Sequence, residues 1–425
     1  MKEKLELSSR PWPFRKAPFL VTALPFSLLL VQQALTAPTL QRGDTGLPRF
    51  AYLVECGGAY VKVDISQYEI VSHGRIWDGP STSSIRPDRL DRFEGCLFNN
   101  AEHDAQRGLV YAVVQKHALS SPQGDNEFWI AALQLPNFAL VSKAGPFESF
   151  PWLLLEPQAD NLLVWNVDTI EEYRTPDLQK LETHRNPSGR VISDPAFFMN
   201  SGEILDGDRV LDRRGNETRR VRPNALLTPA IKEALRQQLA SGIGSQQDFE
   251  PIRAGTNHNQ MLFLVNPDTR QKPADRSGLL IYDLEHGETL RPITVPYRAA
   301  PTTIHLVDNA SVIAIEEYEW RTNEATPQVS ASASSRSERF KTGTIAVHDA
   351  TDGRMLRTIT LEPTPGFLAR VIAFSPDGTR MLYGSRAHIY IADLAGSAEP
   401  QALPTTDGFL PNQQFPPLAV FFSDR

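Results

Sequence analysis

The chain has 425 residues, 41% of them hydrophobic and 22% charged, an ordinary balance for a globular protein with a large core. Its net charge of −7 argues against a nucleic-acid partner, which selects a basic surface. With 33 Pro and 26 Gly and few long helical patterns, the composition points to many short strands joined by turns.

The N-terminus reads as an export signal over residues 1–37. Lys2, Lys4, Arg10, Arg15 and Lys16 precede the apolar run Phe19 to Val31, and the small residues Ala34, Thr36 and Ala37 follow. This predicts a periplasmic or secreted protein. Leu35 stands where a cleavage site wants a small residue, so an uncleaved anchor is the alternative. The run is short for a membrane span, and any membrane contact would go through this segment only. Residues 38–48 read as a linker, and 49–425 as one domain.

A repeated pattern fills that domain. AYVKVDISQYEIVSHG, from Ala59, is a pair of alternating strands. PWLLLEPQADNLLVWNVD, from Pro151, is a strand, a turn and a strand. LLIYDLEHGETLRPITV, from Leu279, and TIAVHDATDGRMLRTITL, from Thr344, each place a tight turn between two strands. VIAFSPDGTRMLYGSRAHIYIADLAG, from Val371, gives three strands in succession, the first two joined by Pro376-Asp377-Gly378. Third-strand candidates fall near Val61, Phe128, Glu172, Arg209, Leu280, Ile345 and Ile389. Asp64, Asp283, Asp349 and Asp393 end third strands, where a carboxylate can bond the backbone amides of the next turn.

Repeats of this length with four strands each predict an all-β, seven-bladed β-propeller, with six or eight blades as alternatives. The tail LAVFFSDR, from Leu418, matches a first strand, and FAYLVEC, from Phe50, a second. The C-terminal strand is therefore expected to complete the first blade and leave no open sheet edge. Cys56 and Cys96 then lie on neighbouring blades, and in an oxidising compartment they could form a disulfide or stay as buried thiols. Two segments break the rhythm. TPAIKEALRQQLASG reads as a helical insertion near 228–241, with Thr228 as N-cap and Pro229 at the first helical position. Residues 322–341 are polar and low in complexity, and read as a flexible loop.

Because neighbouring strands run antiparallel, loops joining strands one to two and three to four leave on one face, and the rest on the other. The tight turns fall in the first class. The long connections 72–92, 116–127, 222–250, 266–277 and 321–341 fall in the second, which makes that face the candidate binding surface. First strands should begin at the channel mouth there, near Arg92, Glu148, Arg190, Arg253 and Arg370. Four arginines suggest a small anionic ligand, and Trp77, Trp320 and Phe340 beside the long loops could anchor a protein partner. The structural alternative for all of these is solvated strand ends and rings packed under their own loops.

No G-x-S-x-G turn, H-E-x-x-H pair or P-loop is present, and no cofactor or metal site is expected. His103-Asp104 and His258 are isolated. Asp206 to Asp212 reads as a hairpin turn, and the basic run Arg213 to Arg222 as a charged outer strand. The segments IYIADLAG, VKVDISQYEIV and IAFSPDGTRMLYG resemble those of secreted bacterial propellers of the Tyr-Val-Thr-Asn class, relatives of WD-repeat propellers. The resemblance implies a propeller from 49 to 425. It also implies a binding function, or likeness to propeller lactonases and other hydrolases, or to accessory subunits of periplasmic quinoprotein-type dehydrogenases. The missing catalytic motifs favour a binding module over an enzyme.

Overall fold

The computed structural model describes residues 48–424 apart from 55–58, 77–100, 118–125, 193–195, 200, 222–227, 239–248, 253–259, 266–275, 284–285, 287, 297–301, 307–311, 323–338, 363–369, 386–387, 395, 397 and 405–418. The export segment and linker, Cys56, Trp77, Arg92, Cys96 and Arg253 lie outside the described residues.

The strands form seven four-stranded sheets, each antiparallel throughout. Taken from first strand to fourth, blade one is Ala419–Ser423, Phe50–Val54, Ala59–Asp64 and Glu69–Arg75. Blade two is Glu102–Asp104, Leu109–His117, Asn126–Gln134 and Ala139–Phe147. Blade three is Trp152–Leu155, Asn161–Trp165, Thr169–Arg174 and Gln179–Arg185. Blade four is Ala196–Phe198, Ile204–Asp206, Arg209–Leu211 and Glu217–Arg220. Blade five is Phe249–Ile252, Gln260–Val265, Arg276–Asp283 and Glu288–Pro296. Blade six is Thr302–Leu306, Val312–Thr322, Arg339–Asp349 and Met355–Leu361. Blade seven is Arg370–Phe374, Arg380–Ser385, His388–Asp393 and Gln401–Ala402. All seven expected third strands are third strands.

The tail of the chain does seal the first blade. Phe50 pairs with Ser423 and Val54 with Ala419, in an uninterrupted antiparallel register. Ring closure then follows from how the apolar faces are covered. Period-two alternation gives each strand two faces, and both are apolar in the inner strands. Seven buried clusters use those faces, and each joins two consecutive blades. They are one to two through Tyr52 and Val110, two to three through Tyr111 and Leu162, and three to four through Trp165 and Phe198. Four meets five through Leu205 and Leu280, five meets six through Ile281 and Ile313, and six meets seven through Ile345 and Met381. Leu382 and Val61 join seven back to one. Each such side chain contributes roughly 1.5–3 kcal/mol by leaving water. The fourth strands of blades one, two, three, four and seven are mostly exposed, Glu217–Arg220 along its whole length, so the fourth strands form the rim. This is a seven-bladed β-propeller.

The expected helix is present as α1, Pro229–Gln238, with the Thr228 hydroxyl accepting from the Ile231 amide at 3.3 Å. It drops Leu235 into the cluster between blades four and five. The expected loop over 322–341 is narrower at both ends. Strand two of blade six runs through Thr322 and strand three resumes at Arg339, with Trp320 opposite Lys341 and Phe340 opposite Arg321. The third-strand aspartates act as expected. Asp64 accepts from the Ser66 and Gln67 amides, Asp349 from Thr351 and Asp393 from Gly396. Gly353, at φ +74°, turns blade six against blade five so closely that a Cβ would sit 2.7 Å from the Thr294 carbonyl oxygen.

Candidate functional site

The two faces of the ring differ in what occupies them. On the face of the short turns, arginines bind neighbouring blades together. Arg107 donates to the Ala159 carbonyl, Thr175 and Asp160, joining blade two to blade three. Arg213 pairs with Glu156 and Glu172, joining four to three. Arg357 donates to the carbonyls of Asp393, Gly396 and Ala398, joining six to seven. Arg380 reaches the Tyr68 hydroxyl, joining seven to one. This face is a structural network. The basic run also proves structural, since Arg219 and Arg220 pair with Glu203 and Glu217 on and beside the outer strand.

The strands that flank 76–101, 118–125, 221–248, 266–275, 323–338, 362–369 and 403–418 end on the opposite face, by their antiparallel order. Blade six also reaches past its own first strand there. Thr302 is the last first-strand partner, opposite Glu317, while strands two and three stay paired out to Thr322 and Arg339. Trp320 and Phe340 sit on that two-stranded extension.

Of the charges expected at the channel mouth, Glu148, Arg190 and Arg370 are among the described residues. Glu148 is exposed between blades two and three. Arg190 is exposed before blade four, and its charge acts on Arg209 and Glu217, over the outer strands. Its carbonyl serves the fold, accepting from Asn186 Nδ2 and Trp165 Nε1. No hydrogen bond or ion pair joins Glu148, Arg190 and Arg370 among the described residues. The first strand of blade five is Phe249–Ile252 and that of blade two begins at Glu102, while positions 92, 96 and 253 lie outside the described residues.

Arg370 is where expected, at the start of the first strand of blade seven, and it belongs to a cluster that sequence reasoning missed. Glu316, on strand two of blade six, is 2% exposed. It lies opposite Thr303, so His305, two residues on, shares its face, which looks toward blade seven. His305 Nε2 lies 2.6 Å from Glu316 Oε1, and the Val371 amide donates to the same oxygen at 3.3 Å. The His305 ring also meets Phe374, 5.6 Å between centroids. Glu316 Oε2 and Arg370 Nε are both buried and have no hydrogen-bond partner among the described residues. Burial pushes the Arg370 guanidinium below its usual range, with the Glu316 carboxylate opposing the shift. Glu316 thus orients the His305 imidazole and opposes the charge of the half-buried Arg370, on the inner strands and toward the long-loop face. The only sequence signal for it was a carboxylate inside the apolar run VIAIEE.

His103, on the first strand of blade two, is a second inner-strand histidine. Its ring lies 5.6 Å from that of Phe421, and its Nε2 is buried without a partner among the described residues. Burial pushes its pKa down to about 4, against the pull of the Asp104 carboxylate. The folded state therefore binds fewer protons than the unfolded chain between pH 6.5 and about 4. Stability is full above pH 6.5 and falls as pH drops, by up to about 3 kcal/mol. Urea midpoints across pH 4–7 should show this slope in the parent and lose it in His103→Met. Equal slopes would remove His103 as the cause.

No protein-family model matches the sequence, and no curated protein matches it. Among solved structures the chain is similar to hydrazine synthase of Kuenenia stuttgartiensis, at 11% identity over 69% of this chain and 76% of that one, with a TM-score of 0.39. It is similar to the dihydro-heme d1 dehydrogenase NirN in complex with DHE, at 13% identity over 86% and 76%, TM-score 0.39. It is also similar to the Dos1 propeller, at 10% identity over 84% and 86%, TM-score 0.39. The fold assignment rests on the seven sheets and their inter-blade clusters.

Proposed function

We propose that the chain is an exported propeller of the Tyr-Val-Thr-Asn class, periplasmic or secreted, that binds a small anionic ligand through its long-loop face with Arg370 as the anchor. The observation that carries this reading is the half-buried Arg370, whose Nε has no partner among the described residues and whose guanidinium lies beside the buried Glu316. A charged donor held ready in a low-dielectric site is what an anion selects. The one-sided long connections and the hairpin bearing Trp320 and Phe340 support the same face as the approach for a larger partner. Isothermal titration against small carboxylates and phosphate esters should find a binder, weakened about tenfold or more in Arg370→Gln. Unchanged affinity in that variant would end the reading.

One observation favours a second reading, a propeller hydrolase acting on esters or lactones. In His305 and Glu316 an imidazole is oriented by a carboxylate, and the same carboxylate acts on the Arg370 guanidinium. Turnover of an ester and lactone panel that disappears in His305→Ala would establish it. Absence of turnover in the parent would discard it.

A further inference from the structure

A groove of about 670 Å³ runs up the rim between blades six and seven. It begins on the short-turn face at Leu356, Gly396 and Glu399, and ends toward the long-loop face at Glu362 and Ser385. Tyr383 and Tyr390 also line it, stacked at 5.3 Å and 15°. One wall is the fourth strand of blade six, Met355–Leu361, whose outer edge no strand of the described residues covers. The groove has room because the fourth strand of blade seven is two residues long, Gln401–Ala402, where the other blades have four to nine.

An uncovered strand edge is a template for another chain, and proteins usually blunt it with charge, proline or shortness. Every other fourth strand does so. Blade one carries Glu69 and Arg75, and blade two carries Lys143 and Pro146. Blade three carries Lys180 and Glu182, blade four is ETRR, blade five carries Pro292 and Pro296, and blade seven is short. Met355–Leu361, sequence MLRTITL, has no proline and no lysine. Its one charge, Arg357, is turned inward onto three carbonyls of the 393–398 turn. Met355 and Leu356 are exposed on it, 57% and 38%.

We infer that this edge is a docking site for an extended peptide segment, which adds to Met355–Leu361 as a fifth antiparallel strand and lies in the groove. Strand addition supplies affinity through the main chain, and the groove supplies selectivity through side chains. The wall strand is roughly 20 Å long at about 3.3 Å per residue, enough for six or seven peptide residues. Exposed carboxylates stand at both ends, Glu399 and Glu362, while the arginine between them is committed to backbone. The charge complement of such a groove is a basic peptide. A neutral oligosaccharide would leave the regular row of edge N–H and C=O groups unmatched.

The test uses the full chain and three blocked heptapeptides of alternating Thr and Val, measured by fluorescence anisotropy. One has lysine at both ends, one has glutamate at both ends, and the third is the lysine form with alternate amides N-methylated. The lysine peptide should bind, the glutamate peptide should bind at least about threefold more weakly, and N-methylation should abolish binding. Glu399→Gln should cost about threefold, the worth of an exposed charge pair. Arg370→Gln should leave peptide binding unchanged, which separates this site from the channel-mouth reading. Retained binding of the N-methylated peptide would overturn strand addition. So would maltohexaose binding with no peptide bound, or a concentration-dependent dimer of the chain that the peptide fails to dissociate.

Discussion

Ending the chain at Pro417 should abolish the cooperative unfolding transition of the ring. The strand removed, Ala419–Ser423, is the innermost strand of blade one, and its loss opens two interfaces together. Phe421, 4% exposed, packs in the cluster between blades one and two, with its ring 6.4 Å from that of Phe138. Val420 and Phe422 pack on the other face, against the cluster between blades seven and one. Losing a single buried Phe side chain costs about 3–5 kcal/mol. Losing this strand removes four apolar side chains and a full backbone ladder, from a domain whose total stability is typically 5–15 kcal/mol. The truncated protein should therefore show exposed apolar surface and no sharp urea transition. Phe421→Ala should keep one transition, shifted down by about 3–5 kcal/mol. A truncated chain with the parent's midpoint and slope would mean that the pairing of head and tail does not hold the ring.

That pairing was legible in the sequence because it rests on local pattern. LAVFF and FAYLV are continuous apolar runs, as inner strands covered on both faces must be, and the blade count leaves one strand spare and one missing. The third strands were legible for a similar reason: each couples alternation to a turn, and in four of them to a terminal aspartate. First strands were harder. Glu102–Asp104 is a three-residue polar strand, EHD, with no apolar run to announce it. The Glu316 cluster was not legible at all. The bond from the Val371 amide to Glu316 spans 55 residues and exists only because blade seven packs on blade six. A sequence period reports which face a residue shares, but not which blade that face meets.

The cluster should also be the place where one polar substitution costs most. Glu316 is 2% exposed and holds three things together: the His305 imidazole, the Val371 amide and the field around Arg370. Glu316→Ala leaves a half-buried guanidinium without its opposing charge and a buried amide without its acceptor. Leaving a buried donor without its acceptor costs about 1–3 kcal/mol, and the uncompensated charge adds to it. Glu316→Gln keeps the volume and one acceptor oxygen and should cost less, about 1–3 kcal/mol. If Arg370 is the group left uncompensated, then Arg370→Met should recover much of the loss in the Glu316→Leu background, because no half-buried charge is then left without a counter-charge. Urea denaturation of the two single variants and the double variant gives the coupling directly. Additive losses would show that Glu316 stabilises the inner wall through His305 and Val371 alone, and Arg370 would then be held in place for its ligand rather than for the fold.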